Sequence, residues 1–115
     1  MDEELIARQM PQSLEAEQAV LGSILIDSRC LTEVIGIARP EHFYLQQNRE
    51  IYETIYTMFN FSQTIDPVTV LDKMRELGYY RDDSRDYIMQ LMQITPTAAN
   101  AVRYANIVHE KAMLR

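Results

Sequence analysis

Apolar residues recur along most of the chain at the three- and four-residue spacing of a helix rather than the alternation of a strand. The first such stretch, SLEAEQAVLGSIL from Ser13 to Leu25, places Leu14, Val20, Leu21, Ile24 and Leu25 on one side of a wheel. Glu15, Gln18, Gly22 and Ser23 fall away from the centre of that side, but Glu17 lands between Val20, Leu21 and Ile24, inside the apolar stripe. Ser13 suits an N-cap, and the pattern predicts a helix to about residue 26. A short helix is predicted over 31–37, stopped by Arg39-Pro40, and a helical turn over 40–44 with proline at its start. A long helix over 47–59 shows Ile51, Tyr52, Ile55, Met58 and Phe59 on its apolar side. The next helix has the strongest boundary signals: Asp66 as N-cap, Pro67 in the first helical position, and Gly78 after Leu77 as the stop.

Residues 79–84 read as a charged connector, followed by helices over 85–94 and 98–115 with only Thr95-Pro96-Thr97 between them. So short a link predicts a helical hairpin. On the last helix, Ala98, Ala101, Val102, Ala105, Val108 and Ala112 form a stripe of small residues that admits a close neighbour, while Tyr104, Ile107 and Leu114 lie on other sides. Two apolar faces on one terminal helix are met either by core on both sides or by core on one side and another chain on the other. The expected architecture is all-α: a small orthogonal helical bundle followed by a projecting C-terminal helical hairpin. The expected divisions are a flexible acidic tail over 1–12, a globular head over 13–78, the connector over 79–84, and the hairpin over 85–115.

Composition agrees with helices. In 115 residues there are only 3 Gly and 4 Pro, too few for the many tight turns of a β-sandwich, and 7 Met. No apolar run approaches a membrane span, and the acidic start Met1-Asp2-Glu3-Glu4 is the wrong charge for a signal peptide. One cysteine, Cys30, fits a reducing cytosol. The net charge is −6 and uneven: residues 96–115 hold Arg103, Lys111 and Arg115 against Glu110 alone, while acidic residues predominate before them. With two lysines and no basic run, direct nucleic-acid binding by these residues alone is not expected.

Candidate chemistry is sparse. Gly22, Gly36 and Gly78 stand alone, so no glycine-rich phosphate loop is present. Cys30, His42 and His109 show no zinc-ligand spacing; His42 reads as a partly exposed helix-end residue and His109 as a polar contact at a packing edge. Asp66 is accounted for as a cap. Glu17 is read as a structural, buried carboxylate, because burial without donors would be prohibitive. The N–H groups at its own helix start, Arg49 and Arg103 are the candidate donors. A helical enzyme built around Glu17 is the minor reading, with neither a nucleophile nor a second titrating group near it in pattern.

Several segments together resemble a known family. PQSLEAEQAVLGSIL (Pro11 to Leu25), His42-Phe43-Tyr44 with Arg49 to Tyr52, IDPVTV (Ile65 to Val70) and TPTAANAVRYANIVHEKAMLR (Thr95 to Arg115) are similar to the N-terminal domain of bacterial replicative DNA helicases of the DnaB type. The likeness runs from Pro11 onward. Asn48 departs from it, where the family usually has histidine, a change bearing on a local hydrogen bond near Arg49. The resemblance implies a cytoplasmic protein of the replication fork that forms a homohexameric ring, its ATP and Mg held in a C-terminal motor domain, with no cofactor, metal or catalytic residue in these 115 residues. It also implies paired hairpins forming a collar, with primase as docking partner and a helicase loader as a further one. The expected oligomer or partner face is Leu91, Met92, Ile94, Val102, Ala105, Ile107 and Val108. The alternative is a free-standing helical adaptor or phage-encoded replication regulator of the same fold.

Overall fold

A computed structural model describes residues 12–115, so the acidic stretch expected as a tail lies outside the described residues apart from Gln12. The described residues form helices α1 (Leu14–Ile26), α2 (Leu31–Val34), α3 (Gln46–Asn60), α4 (Pro67–Leu77), α5 (Ser84–Gln93) and α6 (Ala101–Leu114), with 3-10 turns at Ser28–Cys30 and Pro40–His42. The all-α class expected from the periodicity holds.

Local chemistry sets several boundaries. The Ser13 hydroxyl accepts the Ala16 N–H at 3.2 Å, capping α1. Asp66 accepts the Thr69 N–H at 2.8 Å while the Thr69 hydroxyl accepts the Asp66 N–H at 2.9 Å, a reciprocal cap on α4. Gly78 ends α4 with φ +79°, a left-handed conformation that glycine adopts without strain. The second helix is shorter than expected, closing at Val34 and continuing only as turns to Ile37.

The core is organised around α1. Val20, Leu21 and Ile24 are fully buried, as are Phe43, Tyr52, Ile55, Ile88 and Leu91 from the surrounding elements. The wheel of α1 suggested one buried side, but Gly22 and Ser23 are buried as well, because α1 packs against α6, α5 and α3 at once. From Val20 to Leu25 the helix is covered on every side, so that stretch has no polar face to mark its orientation. Ser23 meets burial by donating to the Ala19 carbonyl at 2.6 Å. Gly22 lies where α1 crosses the end of α5: a Cβ there would stand 2.5 Å from the Leu91 carbonyl oxygen and 2.0 Å from the Thr95 hydroxyl.

The expected projecting hairpin is corrected by this arrangement. Helices α5 and α6 both lie against α1, and residues 85–115 share its core instead of standing apart from 13–78. The small stripe of α6 is the reason: Ala101, Ala105 and Val108 are buried and let α6 settle closely onto α1. The link between α5 and α6 is also longer than three residues. The Thr97 hydroxyl accepts the Ala99 N–H at 3.1 Å, so Ala98, Ala99 and Asn100 form a turn before α6 begins.

Candidate functional site

Helix α3 starts without a cap of its own, since Leu45 at its N-cap has no side chain able to accept the free N–H groups. Glu17 reaches this start from α1 and accepts the N–H groups of the N-cap residue Leu45 and of Tyr44 just before it. Its Oε2 accepts the Tyr44 N–H at 2.7 Å; its Oε1 accepts the Leu45 N–H at 3.3 Å and the Asn48 Nδ2–H at 3.0 Å. The carboxylate therefore sits at the positive end of the α3 dipole with both oxygens engaged. The network continues through Asn48, whose Oδ1 accepts the Tyr87 hydroxyl of α5, and through Gln18, whose Nε2 donates to the Tyr87 oxygen at 3.5 Å. One buried carboxylate thus joins α1, α3 and α5.

Glu17 is buried as expected, but its donors are not the expected ones. The N–H groups of its own helix start are not among them. Arg49 donates instead to the carbonyls of Phe43 at 3.2 Å and Tyr44 at 3.3 Å, holding the same loop from its acceptor side. Arg103 lies exposed on α6. Asn48, expected to matter near Arg49, is wholly buried and bonds Glu17 directly. Glu17 is 1% exposed, so no substrate reaches it. Burial, with Asp27 and Glu33 nearby, pushes the Cys30 thiol up to about 11, leaving little thiolate at neutral pH.

Two further clusters frame the junction. The Arg81 guanidinium of the connector binds both oxygens of Glu50 on α3, at 2.8 and 3.3 Å, and the Tyr79 hydroxyl donates to Glu53 at 2.9 Å. Arg75 lies over the Tyr80 ring, 4.2 Å from its centre. On the other side, the start of α1 and the turn before α6 enclose a cleft of about 260 Å³, lined by Glu15, Gln18, Ile94, Thr97, Asn100 and Tyr104. Its wall is mixed: apolar surface from Ile94, which is 50% exposed, beside polar groups able to orient a ligand.

A family model described as DnaB-like helicase N terminal domain matches residues 9–110. The chain belongs to that family. It is 37% identical over 109 residues to the replicative DNA helicase DnaB of Leifsonia xyli subsp. xyli, covering 94% of this chain and 24% of that protein. It is 36% identical over 121 residues to the replicative DNA helicase DnaB of Geobacillus stearothermophilus, covering all of this chain and 26% of that protein. The chain thus spans about a quarter of the length of the curated relatives it matches. The crystal structure of the N-terminal domain of DnaB helicase from Mycobacterium tuberculosis superposes with a TM-score of 0.88 at 38% identity, over 93% of this chain and 75% of that one.

For this DnaB-type domain, the face expected to meet a partner is divided by the fold. Leu91, Ala105 and Val108 are core residues packed within the chain and are withdrawn from that face. Met92, Val102 and Ile107 are half-buried, and Ile94 opens into the cleft. The most exposed large apolar side chains on α6 are those of its distal part, Met113 and Leu114. Of the residues that complete the Glu17 junction, Tyr87 was not singled out by the sequence, and Asn48 was singled out only for a hydrogen bond near Arg49. The available signal was an α3 start with no capping side chain, which requires a donor-accepting group from elsewhere.

Proposed function

We propose that this domain is the N-terminal collar unit of a hexameric, ATP-dependent replicative DNA helicase, and that it performs assembly and partner docking without catalysis of its own. The match to an isolated DnaB N-terminal domain over nearly the whole chain carries this reading. Two solvent-open surfaces support a division of labour. The distal side of α6, with Ile107, Met113 and Leu114, offers adaptable apolar contacts for a second copy. The cleft between α1 and the turn before α6 offers a shaped, partly polar seat for primase.

The mechanism is one of geometry. The Glu17 junction ties α1, α3 and α5 together, so a partner in the cleft acts on a rigid body whose other end carries the self-association surface. Binding at one site can then bias the arrangement of subunits at the other, and assembly biases binding by the same factor. ATP and Mg belong to the motor domain in this reading, a helicase loader is a further partner, and the setting is the cytoplasmic replication fork.

Sedimentation of the chain tests the assembly half. Reversible dimers or larger species are expected at roughly 0.5 mM, the range in which weak interfaces populate. Leu114→Glu, at a position 69% exposed, is expected to abolish them while leaving the circular dichroism spectrum unchanged. A strictly monomeric wild-type chain at that concentration overturns self-association through this domain.

A further inference from the structure

We propose that the contact between the Pro40–His42 turn and the end of α6 is an acid-sensitive latch, closed when the His42 imidazole is neutral and opened by its protonation. The geometry requires a neutral ring. His42 Nδ1 accepts the Arg39 N–H at 3.0 Å, so that nitrogen carries no proton in the closed state. The His42 and His109 rings meet edge to face with centroids 5.0 Å apart. Arg115 closes the contact from the far side: its Nη2 donates to the His42 carbonyl at 2.7 Å, and its guanidinium lies 5.3 Å from the centre of the Tyr44 ring. The His109 Nδ1 is buried without a hydrogen-bond partner.

Protonation of His42 works against each of these features. A proton on Nδ1 turns the acceptor into a donor facing the Arg39 N–H, which breaks the side-chain cap on the start of the 3-10 turn. It also sets a cation against His109 and Arg115 of α6 and beside Arg39 of the turn. Helix α3 adds Arg49, which donates to the carbonyls of Phe43 and Tyr44, and Glu53, which shares a shallow groove with Arg39 and Glu41. Glu41 is the nearby carboxylate that favours the charged ring, but burial and His109 outweigh it and hold His42 below its ordinary value of 6.5. A group whose folded pKa is depressed contributes stability above its unfolded value, and that stability begins to be lost as pH drops below 6.5 and is gone once pH has fallen through the lower folded value. The strain is relieved by moving the end of α6 off the turn. Met113 and Leu114 ride on that end, so opening the latch changes how they are presented. That consequence for assembly rests on the function proposed above; the latch itself does not.

NMR titration of the whole chain from about pH 8 to about pH 5 tests it, following both imidazoles, the Tyr44 ring and the nuclear Overhauser effect between His42 and His109. The expected result is a His42 midpoint below 6.5, with the inter-ring effect lost and the Tyr44 resonances shifted at that same midpoint. An inter-ring effect that persists after His42 is protonated overturns the latch. His109→Phe keeps an edge-on ring that cannot carry charge; the opening midpoint is expected to move up toward the ordinary histidine value. An unchanged midpoint in a folded variant overturns the role of the pair, and if that variant does not fold the wild-type titration decides alone. Because none of these signals requires self-association, failure of the latch and failure of the assembly reading are separately visible.

Discussion

Replacing Glu17 by glutamine removes one formal charge and almost no volume, so its effect isolates the junction. The carboxylate presents two acceptor oxygens to three donors, the N–H groups of Tyr44 and Leu45 and the amide of Asn48. Glutamine keeps one oxygen. Placed at the Oε1 position, that oxygen retains Leu45 and Asn48 but turns the side-chain NH2 toward the Tyr44 N–H, which had been bonded at 2.7 Å. The result is one lost charge-assisted hydrogen bond, about 1.5–3 kcal/mol, and a buried donor facing a donor. Weakened interaction with the α3 dipole adds about 0.5–1 kcal/mol. The expected loss is therefore about 3 kcal/mol, a large share of the roughly 5–15 kcal/mol of a small domain, and lowers Tm by roughly 12–24 °C. Urea unfolding followed by circular dichroism, with the slope checked for constancy, measures it directly. Glu17→Ala orphans all three donors and is expected to cost more than Glu17→Gln. A Glu17→Gln loss below about 1 kcal/mol would refute the claim that this carboxylate holds the helices together.

Further outcomes follow from the same structure. Gly22→Ala gains about 1 kcal/mol of helix propensity but drives a methyl group against the Leu91 carbonyl, an overpacking that costs about 1–3 kcal/mol, so a net loss of up to about 2 kcal/mol is expected in the same urea assay. A stabilised variant would mean that α1 and α5 do not approach this closely. The Arg29 guanidinium and N–H hold Asp27 down to about 2, so its contribution to stability is present above the ordinary value of 3.8 and lost as pH falls toward 2. A carboxyl carbon resonance titrating near 3.8 would contradict that. Alkylation of Cys30 by iodoacetamide is expected to be slow near neutral pH and to rise toward pH 11; a rate at pH 8 equal to that of an unhindered thiol would contradict its burial.

The features legible in the sequence were those whose cause is local. Asp66, Pro67 and Gly78 act on residues within a few positions, and the boundaries of α4 follow from them. Glu17 was legible as a buried carboxylate, because a single wheel shows its place among Val20, Leu21 and Ile24. Its donors were not, since they lie 27 to 31 residues away on a loop and helix whose approach depends on tertiary packing. The small stripe of α6 was equally visible, but Ala101, Ala105 and Val108 permit close approach of any helix. Nothing in that pattern distinguishes α1 of the same chain from a helix of another. Gly22 carried the missing information: a glycine inside a strongly apolar helix marks a close crossing, here with Leu91 and Thr95.

The most direct test of the assembly and docking account is a chemical-shift titration of this chain with the helicase-binding C-terminal fragment of a primase. The account predicts saturable shifts concentrated on Glu15, Gln18, Ile94, Thr97 and Tyr104 around the cleft, with the Glu17 junction left intact. Absence of any shift at saturating fragment, or shifts confined to the Arg81–Glu50 side of the molecule, would contradict it.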